Sequence, residues 1–367
     1  MDVKPKDNKR RITFKDIAHE LGVAVSTVSN AYNRPSQLSA ELREKVLATA
    51  KRLGYSGPNP AAQGLRRGET GVIGVVFPDR LSYAFTDPAA ALFIQGVTRE
   101  LEGRGLSLLL IGAYSLEKGM SPIARANVDG FVVHAFAEND PLFAEVLTRN
   151  LPTVLVDDAE ITGLPFVEVD DEGGAERAAQ HLLGFGHRHL GIVSLELDPS
   201  AKGELVGTER QEMATYRPTR ARLEGYRQAV EGAGLTWDEV PFYESFENNP
   251  AEGFQGAAAL LAQSPCPTAI LAMSDQLALG VLNYAREQGI RVPEELSVVG
   301  YDDSLPFQGT PGLTTVHQPH LEKGQHAARS LIAQLQGEEA ESVTLETRLI
   351  VRDSTTKVPD DSISTLS

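Results

Sequence analysis

The sequence predicts an all-α N-terminal helix-turn-helix domain followed by an α/β body of two Rossmann-like subdomains with parallel sheets. Three observations carry that prediction. Residues 1–68 hold thirteen Lys/Arg against six Asp/Glu, inside a chain whose formal charge is −16. Within that basic stretch, two short apolar-periodic segments flank Gly22. From Gly71 onward, buried-type strands alternate with amphipathic helices in two successive sets. The expected organisation is a helix-turn-helix domain over 1–57, a linker over 58–69, an α/β body over 70–353 and a disordered tail over 354–367. That tail is rich in Ser, Thr, Asp and Pro.

Composition bounds the function. A chain of 367 residues with 41% hydrophobic content can bury a sizeable core. No apolar run approaches the roughly 18 residues that span a bilayer. The stretch Met1–Asp7 lacks the apolar segment of a secretory signal. A cytoplasmic location without a membrane partner is therefore expected. The lone Cys266 makes no internal disulfide, and in Ser264-Pro265-Cys266-Pro267 it reads as a packed or loop thiol. Acidic surface repels phosphate, so only the basic N-terminal module suits nucleic acid.

Thr13 caps a first helix, with Asp16 three residues on. Phe14, Ile17, Ala18 and Leu21 fall on one face. Gly22 supplies the turn. A second helix begins near Ser26 within Ala24–Tyr32, with Val28 toward the core and Ser26, Thr27, Ser29 and Asn30 toward its exposed N-terminal side. A third runs from its cap Ser39 to about Leu53. Two short helices around a tight turn place the second in a major groove. There Asn30 suits adenine and Val25 a thymine methyl. The competing reading is a three-helix module for a protein partner. Residues Asn59–Gly68 then read as a short helix with Pro60 in its first turn, too short to be stable alone.

In the body, Val72–Phe77, Ser107–Ile111, Gly130–His134 and Thr153–Val156 read as strands of a first set. Leu190–Ser194, Ala269–Ala272 and Leu296–Gly300 read as strands of a second. Helices are expected near Ala89–Glu102, Leu142–Arg149, Gly173–Leu183, Thr219–Ala233, Glu252–Leu261 and Gln276–Gln288. Ligands of such sheets bind beyond the carboxyl ends of the strands. Asp157, Ser274 and Asp302 end strands, Gln318 closes Leu313–Gln318, and Arg222 starts a helix. Carboxylates, an arginine and an amide suit the hydroxyls of a sugar, and equally a nucleobase or an amino acid. Asp198–Arg217 is a long polar insertion that reads as a loop, either a lid or disordered. No dinucleotide fingerprint, phosphate-binding loop or nucleophile elbow occurs. Neither an enzyme, a cofactor nor a metal is expected.

The stretch from Thr13 to Arg67 resembles the N-terminus of LacI/GalR-family transcriptional regulators. The resemblance lies in Phe14-Lys15-Asp16-Ile17-Ala18, Gly22–Asn30, Asn33, Ser39–Val46 and Leu53-Gly54-Tyr55. It implies DNA contacts from Thr13, Val25, Ser26, Thr27, Ser29, Asn30, Asn33 and Arg34. It also makes the linker a hinge helix in which Leu65 wedges into a minor-groove base step beside Arg66. The body resembles the family's periplasmic-binding-protein-like sensor, with the chain crossing between subdomains near 170, 318 and 345. By that resemblance Asp157, Arg222, Ser274, Asp302 and Gln318 line the effector cleft. Ser274 stands where many members carry asparagine. The implied function is a repressor, homodimeric on a pseudo-palindromic operator, controlled by a small effector expected to be a sugar or sugar derivative. The alternative is a cytoplasmic small-molecule binding protein whose basic module binds a protein partner.

Overall fold

The computed structural model describes residues 12–55, 57, 69–78, 81–112, 121–136, 140–158, 163–304 and 312–358. The hinge expectation for Leu65 and Arg66 lies outside the described residues. The chain divides after Thr70 into two compact units.

The first unit holds helices α1 (Phe14–Leu21), α2 (Val25–Asn33) and α3 (Ala40–Arg52). Gly22 ends α1 in the left-handed region, with φ of 65°, where a residue without Cβ turns the chain at no steric cost. Ser39 caps α3, its hydroxyl accepting the Leu42 amide at 3.3 Å. Ile17, Ala18, Val28, Ala31, Val46 and Ala50 form the core. Phe14 sits 5.5 Å from both Tyr32 and Tyr55, ring centre to ring centre, so the end of α2 and the segment after α3 are both packed on the first helix.

The second unit is α/β with two sheets. Its strands are β1 (Val72–Phe77), β2 (Ser107–Gly112), β3 (Gly130–His134), β4 (Thr153–Val156), β5 (Phe166–Val169), β6 (Leu190–Ser194), β7 (Glu204–Leu205), β8 (Phe242–Glu244), β9 (Ala269–Ala272), β10 (Ser297–Asp302), β11 (Thr314–His317), β12 (Val343–Leu345) and β13 (Arg348–Ile350). The first sheet has the order β12-β5-β4-β3-β1-β2 and is parallel throughout. The second has the order β13-β11-β10-β9-β6-β8-β7. Its inner strands are parallel, while β13 and β7 close the edges antiparallel.

The covering helices are α4 (Pro88–Glu102), α5 (Pro141–Thr148), α6 (Asp171–Gly184), α7 (Arg217–Gly232), α8 (Pro250–Leu261), α9 (Asp275–Gln288) and α10 (His320–Leu335). The chain passes from first sheet to second between β5 and β6, back between β11 and β12, and again between β12 and β13. Each sheet with its helices forms one lobe. The α4–α10 pair is close, as are α6–α7 and α8–α9. A Cβ on Gly96 would lie 2.0 Å from the Leu321 carbonyl oxygen, and one on Gly324 2.1 Å from that of Phe93.

Two expectations need correction. Asp198–Arg217 is not disordered. It supplies β7, which pairs with β8, and Arg210 pins it by donating to Asp198 (2.6 and 2.9 Å) and Glu244 (2.6 and 3.0 Å). A guanidinium holding two carboxylates is a strong clip, because its fork matches both. The tail is likewise ordered through residue 358. Ser354 is fully buried, its hydroxyl donating to the Val298 carbonyl at 2.6 Å and accepting the Thr314 amide at 2.8 Å. Polar composition misled here, since these hydroxyls satisfy backbone groups along β10 and β11. Residues 359–367 lie outside the described residues.

Candidate functional site

In the first unit, the residues proposed to meet DNA gather on α2 and its flanks. Val28 and Ala31 face the core, which turns Val25 (43% exposed) and Ser26 outward. Thr27, Ser29, Asn30 and Asn33 are half-buried, and Arg34 is exposed at the helix end. Ala24 at the N-cap offers no side-chain acceptor. The first amides of α2 thus suit an anion such as a backbone phosphate. Two residues are partly committed internally. The Thr13 amide and hydroxyl both donate to Asp16 Oδ2, at 2.8 and 2.7 Å. The Asn33 amide donates to the Ser29 carbonyl and hydroxyl at 3.1 and 3.2 Å.

In the second unit, four of the five cleft residues converge where the chain crosses between lobes. Arg222, on α7, is 5% exposed. Its Nε donates to Asp171 Oδ1 at 2.8 Å, and a second nitrogen donates to the Met273 carbonyl. Asp302 ends β10 with φ of 114°, a left-handed conformation unusual for a side chain this size. Gln318, at a crossing, donates to Asp302 Oδ1 at 2.7 Å. Lys323 Nζ donates to Gln318 Oε1 at 3.4 Å and to Asp157 Oδ2 at 2.8 Å. A continuous polar chain therefore runs from Asp157 in the first lobe to Asp302 in the second.

Ser274 takes a different place. Its hydroxyl caps α9 by accepting the Leu277 amide at 3.1 Å and donates to Asn248 Oδ1 at 2.5 Å. It adjoins the Met273 carbonyl that Arg222 reaches. Asp275 serves the loop ends, accepting from the Thr315 hydroxyl (2.6 Å) and the Ser304 amide (2.9 Å).

Burial sets the protonation of the cluster. It pushes the Asp302 carboxyl well above the ordinary carboxylate range, outweighing Arg222. It pulls His134 down to about 4 and His320 well below its usual value. At Asp157 burial acts upward, but Lys323, His134 and Arg222 together hold the carboxyl below its ordinary value. Burial also pushes Asp171 up, against the pull of Arg222. Asp157 Oδ1, Asp171 Oδ2 and His320 Nε2 are buried without a hydrogen-bond partner. Such atoms are costly to leave unmade.

The residue reading missed Asp171, Lys323 and His320. A signal existed for two of them. On α10, His320, Lys323, Gly324, Ala327, Ala328 and Leu331 share the buried face. A lysine on an otherwise small and apolar stripe needs a buried anion. The two lobes also touch through Gln276 Nε2, which donates to the Thr86 carbonyl at 3.4 Å, and through the Arg217–Glu168 ion pair at 2.8 Å.

Comparison with known proteins accounts for both units. Residues 13–59 match the bacterial regulatory proteins, lacI family, and residues 179–355 match the periplasmic binding protein-like domain. An HTH-type transcriptional regulator of Mycobacterium tuberculosis is 42% identical over 328 residues, covering 88% of this chain and 91% of the relative. The solved complex of the transcriptional regulator CelR with cellobiose is 29% identical, with a TM-score of 0.66, covering 94% of this chain and all of that one. The lac repressor dimer bound to operator and the anti-inducer ONPF is 25% identical, with a TM-score of 0.76, covering 95% of this chain and all of that one.

Proposed function

The chain belongs to the lacI family of bacterial regulatory proteins, and from that premise we propose a homodimeric repressor whose operator affinity is set by a carbohydrate held between the lobes. It is a DNA-binding transcriptional regulator. Its action on DNA puts it in the cytoplasm, and it binds and releases ligands rather than transforming them. Among the described residues, no helix is long and apolar enough to cross a membrane.

The observation that carries this reading is the buried polar chain Asp157–Lys323–Gln318–Asp302, with Arg222 beside it. It lies where the lobes exchange chain segments, so a ligand bonded to it changes how the lobes meet. Effector and operator must then alter each other's affinity by the same factor. The roles of Asp157, Arg222, Asp302 and Gln318 as effector contacts follow from their convergence. Those of Val25, Ser26, Thr27, Ser29 and Asn30 as DNA contacts follow from their place off the core-facing positions of α2, and that of Arg34 from its exposure at the helix end. Leu65 and Arg66 keep the minor-groove role proposed from their motif. Two-fold symmetry doubles the few base contacts one short helix makes.

The test is operator binding by fluorescence anisotropy, with and without each sugar of a panel. A sugar that shifts operator affinity in the parent, but not in Asp302→Ala, supports the reading. Sequence-independent DNA binding that ignores every sugar would favour a small-molecule binding protein whose basic module serves a protein partner.

A further inference from the structure

We infer that the cleft takes an uncharged polyol and rejects its phosphorylated or carboxylated counterparts, because Lys323 is already paired with Asp157 and Arg222 with Asp171. The inference rests on the carbohydrate reading above and narrows it.

An anion is held in a protein by unspent positive charge or by free helix N-termini. Among the described residues of the cleft, the buried positive charge is taken. Lys323 is 3% exposed and lies 2.8 Å from Asp157. Arg222 lies 2.8 Å from Asp171, whose carboxyl accepts from its Nε. His134 and His320 are buried and neutral. Three helices that follow strands toward the cleft carry their own acceptors at the N-terminus, while α10 follows β11 from Pro319 without a side-chain cap. Asp87 accepts the Ala89 and Ala90 amides of α4, both at 3.3 Å. Asp170 accepts the Gly173 amide of α6 at 3.0 Å, and Ser274 the Leu277 amide of α9 at 3.1 Å.

What stays open has the opposite character. Besides the neutral His320 Nε2, Asp157 Oδ1 and Asp171 Oδ2 are buried carboxylate oxygens without a donor. They call for O–H groups and repel further negative charge. Lys323 is thus a specificity-determining residue. Its ammonium holds Asp157 ionised as an acceptor, and Asp157 in turn keeps that ammonium from serving a phosphate.

Isothermal titration of the full-length protein tests this, using neutral pentoses, hexoses, disaccharides and polyols, each paired with a phosphate or carboxylate counterpart. At least one neutral member is expected to bind, with its anionic counterpart at least a hundredfold weaker. Asp157→Asn frees Lys323, so it should narrow that gap at least tenfold, whereas Lys323→Met should not. Should Asp157→Asn not fold, Asp171→Asn makes the same test through Arg222. Tighter binding of an anionic member by the parent overturns the inference and leaves the carbohydrate reading standing. Equal behaviour of the Asn and Met variants overturns the role of Lys323. Failure of every member to bind overturns the carbohydrate reading, and the inference with it.

Discussion

The Arg222 guanidinium lies 3.8 Å from the centre of the Tyr301 ring, and the Tyr301 hydroxyl donates at 3.0 Å to the carbonyl of Asp171, the residue Arg222 pairs with. The three residues close a triangle joining α6, α7 and β10, through the Asp171 carboxylate on one side and its backbone carbonyl on the other. Planarity is what the triangle uses. A guanidinium stacks on the ring while its edge meets a carboxylate and a carbonyl, which an ammonium cannot reproduce.

Arg222→Lys should therefore lose effector binding at least tenfold although the charge is kept. Arg222→Ala should be worse for the fold, because Asp171 is left buried and unpaired, at a cost of roughly 3–5 kcal/mol. Urea unfolding gives the stability of both variants, and effector titration gives affinity. A lysine variant that binds effector as the parent does would show that only the charge matters.

Asp275 gives a pH test. Burial pushes its carboxyl from 3.8 up to about 7, against the Thr315 and Ser304 hydrogen bonds. A carboxyl raised in the folded state is ionised more readily in the unfolded chain, so it withdraws stability as pH rises from about 4 to about 7. Asp275→Asn removes that withdrawal. The stability of the variant relative to the parent should climb through this window and then level off, by on the order of 2–4 kcal/mol. His134 and His320 run the other way, being depressed when folded, but they are common to both proteins and cancel. Denaturant unfolding at pH 5, 6, 7 and 8 measures the difference, and one independent of pH would contradict the assignment.

The α4–α10 crossing allows a third test. A Cβ at Gly324 would meet the Phe93 carbonyl oxygen at 2.1 Å, an atom that cannot move without breaking its helix. Gly324→Ala improves intrinsic helix propensity by about 1 kcal/mol, yet should lower stability by roughly 1–3 kcal/mol through overpacking. Because Lys323 is the preceding residue, any displacement of α10 also shifts its ammonium from Asp157. Loss of effector affinity alongside the lowered melting temperature is expected, and crystallography of the variant would show the helix moved.

Several central strands, though not the short inner strands β5, β8 and β11, were legible because a strand covered on both faces is a continuous apolar run. Val72–Phe77 and Thr153–Val156 are such runs, and their ends came out to the residue. The edge strands β7, β12 and β13 were not, having two or three residues each and no fully buried position. Helix α10 was missed for a different reason. Its buried stripe carries His320 and Lys323, and the partner that makes the lysine tolerable stands 166 residues away. Asp302, Arg222 and Gln318 were chosen as strand-end or helix-start residues and by family resemblance. Only the folded chain brings them together, because the contact depends on the crossing order of the lobes.

On the DNA-reading module, Asn30 is the most informative position. It lies on α2 one residue before Ala31, which packs in the core, and its side chain is half-buried. An amide facing a base edge pairs with adenine through two hydrogen bonds, worth about 1–3 kcal/mol of discrimination. Asn30→Ala should thus weaken operator binding by roughly tenfold to a hundredfold and relax preference at one base pair per half-site. It should leave the salt dependence unchanged, since no phosphate contact is lost. A contrast comes from Arg34, exposed at the end of α2. Arg34→Ala should weaken all sequences alike and lower the slope of log affinity against log salt by about one. Anisotropy titrations against operator and scrambled duplexes at three salt concentrations separate the two. If Asn30→Ala lowers the slope while preference is retained, the residue contacts phosphate and the base-reading role belongs elsewhere on α2.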